Sequence, residues 1–486
     1  MRALLAAALC SLAAVLAAST AAASTGMQIG LADDDLMQKV PGAALPTAKA
    51  WQKAGVSIGR VTVVWSTVTP EPLATRKPAG FDGSNPDSPG YHWGKVDGAI
   101  DALVASGIKP VLVVTAPMPV WASEVPSRRD SRYKPDPQEF GAFAAAVAKR
   151  YGNRVDDYIV YNEPNIFVFL TPQWSCKGSR CKLIGPGIYR SLVRAAYPAI
   201  KAADPGSKVW GGAMAPGGGG RPTMRSPRVA PLTFLRGLGC IDSRGRRDRR
   251  SAECRRFKPA TLDGIAHHPH SGVLAPNRAA SSRESATVAT MGRFIKTVDR
   301  VQRAGGIKNG LGKRKKFDIF VDEYGIQTNP PDKIQGVSTS RQNTWLQQAS
   351  YLLWRQPRVR MLAFYLWHDE PMSRASTGSG SWQSGLYYHD GRPKPAARTF
   401  EHPFWVELPR GRRTATVWGQ VRPGNAHTVT VERRRGRGGY RKLRTLTTNA
   451  QGYFSFRTTV RGKTSYRFSY VNGEARTVRS STRTVR

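Results

Sequence analysis

Two carboxylates stand where buried strands should end. Residues 155–160 carry the apolar Val155, Tyr158, Ile159 and Val160, and Tyr161-Asn162-Glu163-Pro164-Asn165 follows directly. Pro164 cannot continue a ladder and disfavours helical backbone at Glu163, so the chain must turn with Asn162 and Glu163 held at the rim. Residues 317–321 form a second apolar run, which ends in Asp322-Glu323-Tyr324-Gly325. Either stretch alone is an ordinary polar turn. Together they supply one carboxyl to protonate a leaving oxygen and one carboxylate to attack the carbon it leaves, which is the chemistry of glycoside hydrolysis.

Holding two such groups face to face takes a scaffold whose strands end at one rim. Apolar runs at 27–31, 58–65, 110–115, 155–160, 208–213, 263–267, 317–321 and 360–366 alternate with helical segments, among them 96–106, 137–151, 187–203, 287–304 and 340–355. Gly55, Gly107 and Gly152 sit where three of the helices should stop. Eight such units predict an α/β fold, a (β/α)8 TIM barrel over residues 26–402, whose parallel sheet is buried on both faces and therefore reads as nearly continuous apolar strands. The alternative is a doubly wound open sheet. Against it, no Gly-rich phosphate turn follows the first strand, and polar or aromatic residues recur at the carboxyl ends of most strands. Beyond Pro403 the texture changes to short alternating segments at 414–421, 427–431, 442–447, 453–459 and 465–470, with turns at Pro423-Gly424, Gln451-Gly452 and Asn472-Gly473. This predicts a small all-β sandwich, immunoglobulin-like, over residues 404–486.

The formal net charge of the 486 residues is +41, and it is uneven: 18 Lys and Arg fall in residues 411–486 against Glu432 and Glu474. Arg433-Arg434-Arg435-Gly436-Arg437, with Arg441, Lys442 and Arg444, flanks a predicted hairpin turn. Trp418, Tyr440, Tyr453 and Phe454 are few and lie mostly at positions suited to the sandwich core. The expectation is weak, salt-sensitive attachment to anionic envelope polymers, with neither specific nucleic-acid reading nor a dedicated sugar module. Arg2, an apolar run over 3–18 and small residues to Ala23 read as a secretory signal at 1–23, giving a secreted protein with no transmembrane span after its removal. Cys176, Cys181, Cys240 and Cys254 then remain; an even number in an exported chain favours disulfides over a metal site. Of the three pairings, 176 with 181 and 240 with 254 are preferred, because each clips one polar, irregular loop.

In detail the sequence resembles the clan A glycoside hydrolases, families 5 and 39 in particular, from Gly55 to about Asp369. Gly59-Arg60-Val61 with Trp65-Ser66 resembles the second-strand pattern, and Thr115-Ala116-Pro117 with Pro119 and Trp121 the third. The specific parts are Tyr161-Asn162-Glu163-Pro164 and Val321-Asp322-Glu323-Tyr324-Gly325. The resemblance implies a retaining hydrolase of a β-linked oligo- or polysaccharide, with Glu163 as acid/base, Glu323 as nucleophile and Asn162 on the sugar 2-hydroxyl. Its rival is a catalytically silent barrel that binds glycan or polyanion. His267-His268-Pro269-His270 resembles the strand-six pattern, but His270 stands where the family usually has a Tyr that bonds the nucleophile.

The residues add their own expectations. Arg60 is the cation to keep Glu323 ionised, or else a structural salt bridge low in the barrel. Glu163, beside aromatic residues, is expected to titrate high. Trp367 ends the eighth strand and Trp121 follows the third, and a flat ring at either place stacks on a sugar; Trp65 is assigned to core packing, and Trp93, Trp174 and Trp382 to loops. The substrate-binding set is therefore Asn162, Arg60, His268, His270, Trp367 and Trp121. No cofactor and no metal are expected. His267 and His268 should point to opposite faces of a strand, and no carboxylate partner is evident nearby.

Overall fold

The computed structural model describes residues 23–219, 228–249, 252–372 and 381–486, so all but the last residue of the expected leader lies outside the described residues. Eight parallel strands close into a ring: β1 (Gln28–Ala32), β2 (Ile58–Val64), β3 (Lys109–Thr115), β4 (Asp157–Val160), β5 (Lys208–Met214), β6 (Gly264–His267), β7 (Asp318–Tyr324) and β8 (Val359–Tyr365). The ring order is the chain order, and β1 pairs with both β2 and β8, which an open doubly wound sheet cannot do. The returning helices are α1 (Ala44–Lys53), α2 (Gly94–Ala105), α3 (Pro137–Tyr151), α4 (Gly185–Ala203), α5 (Pro231–Leu238), α6 (Met291–Arg303), α7 (Thr339–Trp354) and α8 (Pro395–Phe400).

Strand alternation splits the apolar residues into two concentric cores. Ile58, Val111, Val113, Ile159 and Met361 fill the inside of the ring, where Trp210 and Phe320 stack with centroids 3.4 Å apart. A Cβ on Gly264 would lie 2.0 Å from the Trp210 ring, so the glycine of β6 is what makes room for this plug. The outer core lies between strands and helices; there Trp65, fully buried, stacks on Phe143 of α3 at 5.3 Å. The cysteines pair as Cys176–Cys181 and Cys240–Cys254.

The C-terminal region adds β9 (Phe404–Glu407), β10 (Thr414–Gln420), β11 (Thr428–Arg435), β12 (Arg441–Thr447), β13 (Tyr453–Thr459), β14 (Thr464–Val471), β15 (Thr477–Arg479) and β16 (Arg483–Val485). β9, β10 and β13 form one antiparallel sheet and the others a second, with Phe404, Val417, Val431 and Phe468 among the core residues they enclose. Trp418 and Tyr453 do not serve that core as expected. They pack with Tyr351 and Trp354 of α7, and the Tyr453 hydroxyl donates to the Met27 carbonyl at 3.0 Å. Met27 precedes β1 and Trp354 closes α7, so the β domain is seated at the amino-terminal end of the barrel, away from the rim that carries Glu163.

Candidate active site

The sharp turn expected after β4 is made by left-handed backbone: Tyr161 has φ 72° and Glu163 φ 40°. Such angles cost a non-glycine residue about 1–3 kcal/mol and persist where the surroundings dictate them. Here the Tyr161 N–H donates to Val114, Asn162 N–H to the Thr115 hydroxyl and Glu163 N–H to Ala213, each at 2.9 Å. Glu323 lies within β7, which runs past residue 321, the expected end. The pairing of β7 with β8 shifts register between Val321 and Tyr324. Asp322 and Glu323, neighbours that strict alternation would send to opposite faces, consequently both reach Arg60.

Arg60 is the hub of the site. It is 2% exposed, and its Nη2 donates to Asn162 Oδ1 at 2.7 Å and forms an ion pair with Glu323 Oε1 at 2.8 Å, while Nε faces Asp322 Oδ2 at 3.4 Å. His268 is the second hub. Its Nε2 lies 3.0 Å from Asp322 Oδ2, and its Nδ1 lies 3.0 Å from Glu163 Oε1 and 3.5 Å from Glu323 Oε2. Because one nitrogen serves both glutamates, those two oxygens lie within about 6.5 Å of each other, a gap that an anomeric carbon and its leaving oxygen fill.

Burial alone would neutralise these groups, and their mutual attraction reverses that. For His268 burial favours the neutral ring, but Asp322 and then Glu323 outweigh it, aided by the bonds to Asp322 and Glu163, and its pKa is pushed up to about 10. Burial likewise works against an ionised Glu323, yet His268 and Arg60 hold it well below the usual carboxylate range. Asp322 follows the same pattern: burial raises it, and His268 and Arg60 bring it below its ordinary value. Near neutral pH the site thus holds an imidazolium and a guanidinium against ionised Asp322 and Glu323.

His267 points the other way, stacking on Phe294 of α6 and bonding to the Ala286 carbonyl. His270 accepts from the Gly325 N–H through Nδ1 at 3.2 Å, and its Nε2 is 3.8 Å from Glu323 Oε2, too long for a hydrogen bond. The expectation that no carboxylate lies near the strand-six histidines is corrected: His268, His270 and Glu323 bring ligand atoms within 4.8 Å of one another, because β6 and β7 adjoin in the ring. Both nitrogens of His268 are nevertheless engaged by carboxylates, which leaves no lone pair facing an ion.

The two tryptophans of the expected binding set are placed differently. Trp367 packs against Tyr387 and Phe400, and Trp121 packs edge-on to Trp65 and Phe81 with its N–H on the Pro70 carbonyl. The aromatic residues bordering the carboxylates are Tyr365, which closes β8, and Trp382, whose ring is 5.2 Å from His270 and 5.5 Å from Tyr365. Glu370 ties them together, accepting from the Tyr365 hydroxyl at 3.2 Å and from the Trp382 backbone N–H at 2.6 Å. Sequence reasoning missed Asp322, Tyr365 and Glu370 and left Trp382 unplaced. The only signals were that Asp322 adjoins Glu323 and that Tyr365 lies at the end of an apolar run.

No family model matches the chain. Beta-glucosidase 6 of Oryza sativa subsp. japonica is 28% identical over 116 residues, 23% of this chain, and the match spans only 19% of the rice protein. Among solved structures, a glucosidase from Croceicoccus marinus superposes with a TM-score of 0.51 at 12% identity, covering 90% of this chain and 94% of the other. In fold, then, the chain is similar to a glucosidase, in keeping with the resemblance to clan A glycoside hydrolases carried by its strand-four and strand-seven motifs.

Proposed function

We propose that the chain is a retaining glycoside hydrolase acting on a β-linked glycan, with Glu163 as acid/base and Glu323 as nucleophile. The observation that carries the reading is the approach of both glutamates to one imidazole nitrogen, at 3.0 and 3.5 Å, from strands that β5 and β6 separate in the ring. The resulting limit of about 6.5 Å favours direct attack over the wider gap that an inverting enzyme keeps open for water. In the first step Glu323, kept ionised by His268 and Arg60, forms a bond to the anomeric carbon while Glu163 passes its proton to the departing oxygen. Water then attacks the same carbon, Glu163 takes the water's proton, and Glu323 leaves. Asn162, fixed by Arg60, is assigned to the 2-hydroxyl, and Trp382 and Tyr365 to the sugar face. Two carboxylates converging on one imidazole nitrogen favour this reading over a barrel retained only for binding.

Replacing Glu163 by Ala should spare turnover of an activated aryl glycoside far more than that of a natural substrate. Glu323→Ala should abolish both and regain turnover with azide, giving product of inverted configuration. Equal losses on both substrates for Glu163→Ala, or azide product of retained configuration for Glu323→Ala, would remove the assignments.

Two disulfides suit an oxidising compartment, and among the described residues no helix is long and apolar enough to cross a membrane, which fits the proposal of a secreted enzyme. The proposed weak attachment to anionic envelope polymers rests on β12, where Arg441, Lys442 and Arg444 are exposed, and on Arg434 and Arg467, which both stack on Tyr440.

A further inference from the structure

A cavity of about 800 Å³ on the flank of the barrel shares no lining residue with the carboxylate site. It is walled by α5 and by the segment that follows it, and five arginines, Arg236, Arg244, Arg246, Arg247 and Arg249, line it against Asp242 and Asp248. We propose that this cavity is a binding site for the oxyanions of an acidic glycan strand, distinct from the site that cleaves.

Three of the arginines are fixed in place. Arg236 Nη2 bonds to Glu284 at 2.6 Å, Arg246 reaches Asp242 at 3.1 Å, and Arg247 donates to the Gly239 and Ala304 carbonyls at 2.7 and 2.9 Å with its plane over Phe257. The segment itself is tied by the Cys240–Cys254 disulfide and by the Asp242 carboxylate, which caps the Arg244 and Arg246 N–H groups at 2.9 Å. The guanidinium groups of Arg244 and Arg249 make no ion pair or hydrogen bond among the described residues. The cationic surplus is felt inside the cavity, where Arg249 adds to burial in disfavouring the charged form of Arg247. A rigid wall bearing two uncommitted guanidinium forks is pre-organised for paired oxygens, because each fork matches a carboxylate or phosphate bidentately without further ordering. The volume suits several sugar units rather than a single small ion. Carboxylates of uronic acids and phosphates of a phosphodiester-linked glycan share this chemistry.

The test is titration of the full chain with oligogalacturonate, as carboxylate probe, and with tripolyphosphate, as phosphate probe, at about 0.15 M salt, where diffuse surface attraction is screened. One saturable site is expected for at least one probe. Arg244→Ala/Arg249→Ala should weaken it at least tenfold and reduce the slope of log affinity against log salt, whereas Arg441→Ala/Lys442→Ala/Arg444→Ala on β12 should leave it in place. The thermal midpoint serves as the check that the double variant is folded, and a charge-keeping Arg244→Lys/Arg249→Lys variant should bind at intermediate strength. Absence of saturable binding of either probe, or binding equally strong in the double alanine variant, would overturn the proposal. Failure of the glycosidase reading would leave this result untouched, since it is read by binding alone.

Discussion

Asp322→Asn removes a charge from the centre of the site while keeping its shape. Asp322 is fully buried, with His268 Nε2 at 3.0 Å and Arg60 Nε at 3.4 Å, so the substitution takes the nearest counter-charge from two cations at once. Removing one partner of a buried ion pair costs about 3–5 kcal/mol, and the lower end applies here because Glu163 and Glu323 still face His268. The pH dependence is the sharper readout. The folded-state pKa of His268, about 10, lies above its ordinary 6.5, so its stabilising contribution is complete below about pH 6.5 and is lost as pH rises through 10. An opposite charge at this range is worth about 1–3 pKa units, which puts the variant's imidazole near 7 to 9. The stability deficit from this term, about 1.4–4 kcal/mol, should be full from pH 4 to 6.5 and shrink towards pH 10. Urea unfolding at pH 6 and pH 9.5, with nitrogen-15 NMR of the imidazole, measures both. A deficit equal at the two pH values, or an imidazolium still charged at pH 9.5 in the variant, would refute the reasoning.

Other substitutions separate roles elsewhere. Asp33 is driven by burial up to about 7 despite accepting from the His368 and Leu36 N–H groups, so its own contribution to stability should be lost as pH rises from about 4 to 7 and change no further above that. Asp33→Asn forfeits one of those two bonds, about 1 kcal/mol, and should be the less stable protein at pH 3.5 but the more stable at pH 8, by up to about 3 kcal/mol in melts across that range. Trp382→Ala should raise KM about tenfold with little loss of stability, whereas Trp367→Ala, emptying a pocket against Tyr387 and Phe400, should cost about 3–5 kcal/mol and affect KM less. Trp418→Ala should cost a similar amount and split one calorimetric transition into two, because its ring, with Tyr453, joins the β domain to α7.

The parts of the architecture legible in the sequence were those set by local periodicity. Eight apolar runs separated by helical segments give the ring, and Pro164 after an apolar run places Glu163 at a rim. Asp322 was hidden because the period of two assigns it to the face opposite Glu323, and only a register shift between β7 and β8, a property of the pair, brings both inward. Trp367 was a reasonable platform by position, but the chain beyond β8 turns it onto Tyr387 and α8 while the loop at 381–384 folds back and brings Trp382 to the site. Trp418 and Tyr453 alternate as sandwich-core residues should; that their face meets α7 depends on how two domains dock, which no local pattern records.

The contacts also give two chemically identical glutamates the different surroundings that the proposed division of roles requires. Glu323 touches Arg60 at 2.8 Å, His268 at 3.5 Å and approaches His270, so three nitrogen-bearing groups favour its charged form. Glu163 meets His268 alone among them and is the more exposed of the two side chains, 16% against 10%. Unequal surroundings are what separate an acid from a nucleophile when the side chains are the same. Asp322 makes the arrangement directional. By holding Nε2 from below it fixes the imidazole so that Nδ1 must face the rim between the two glutamates, and a ring free to turn would lose that shared contact. The residue doing this is one that the strand's own alternation would have placed outside the barrel.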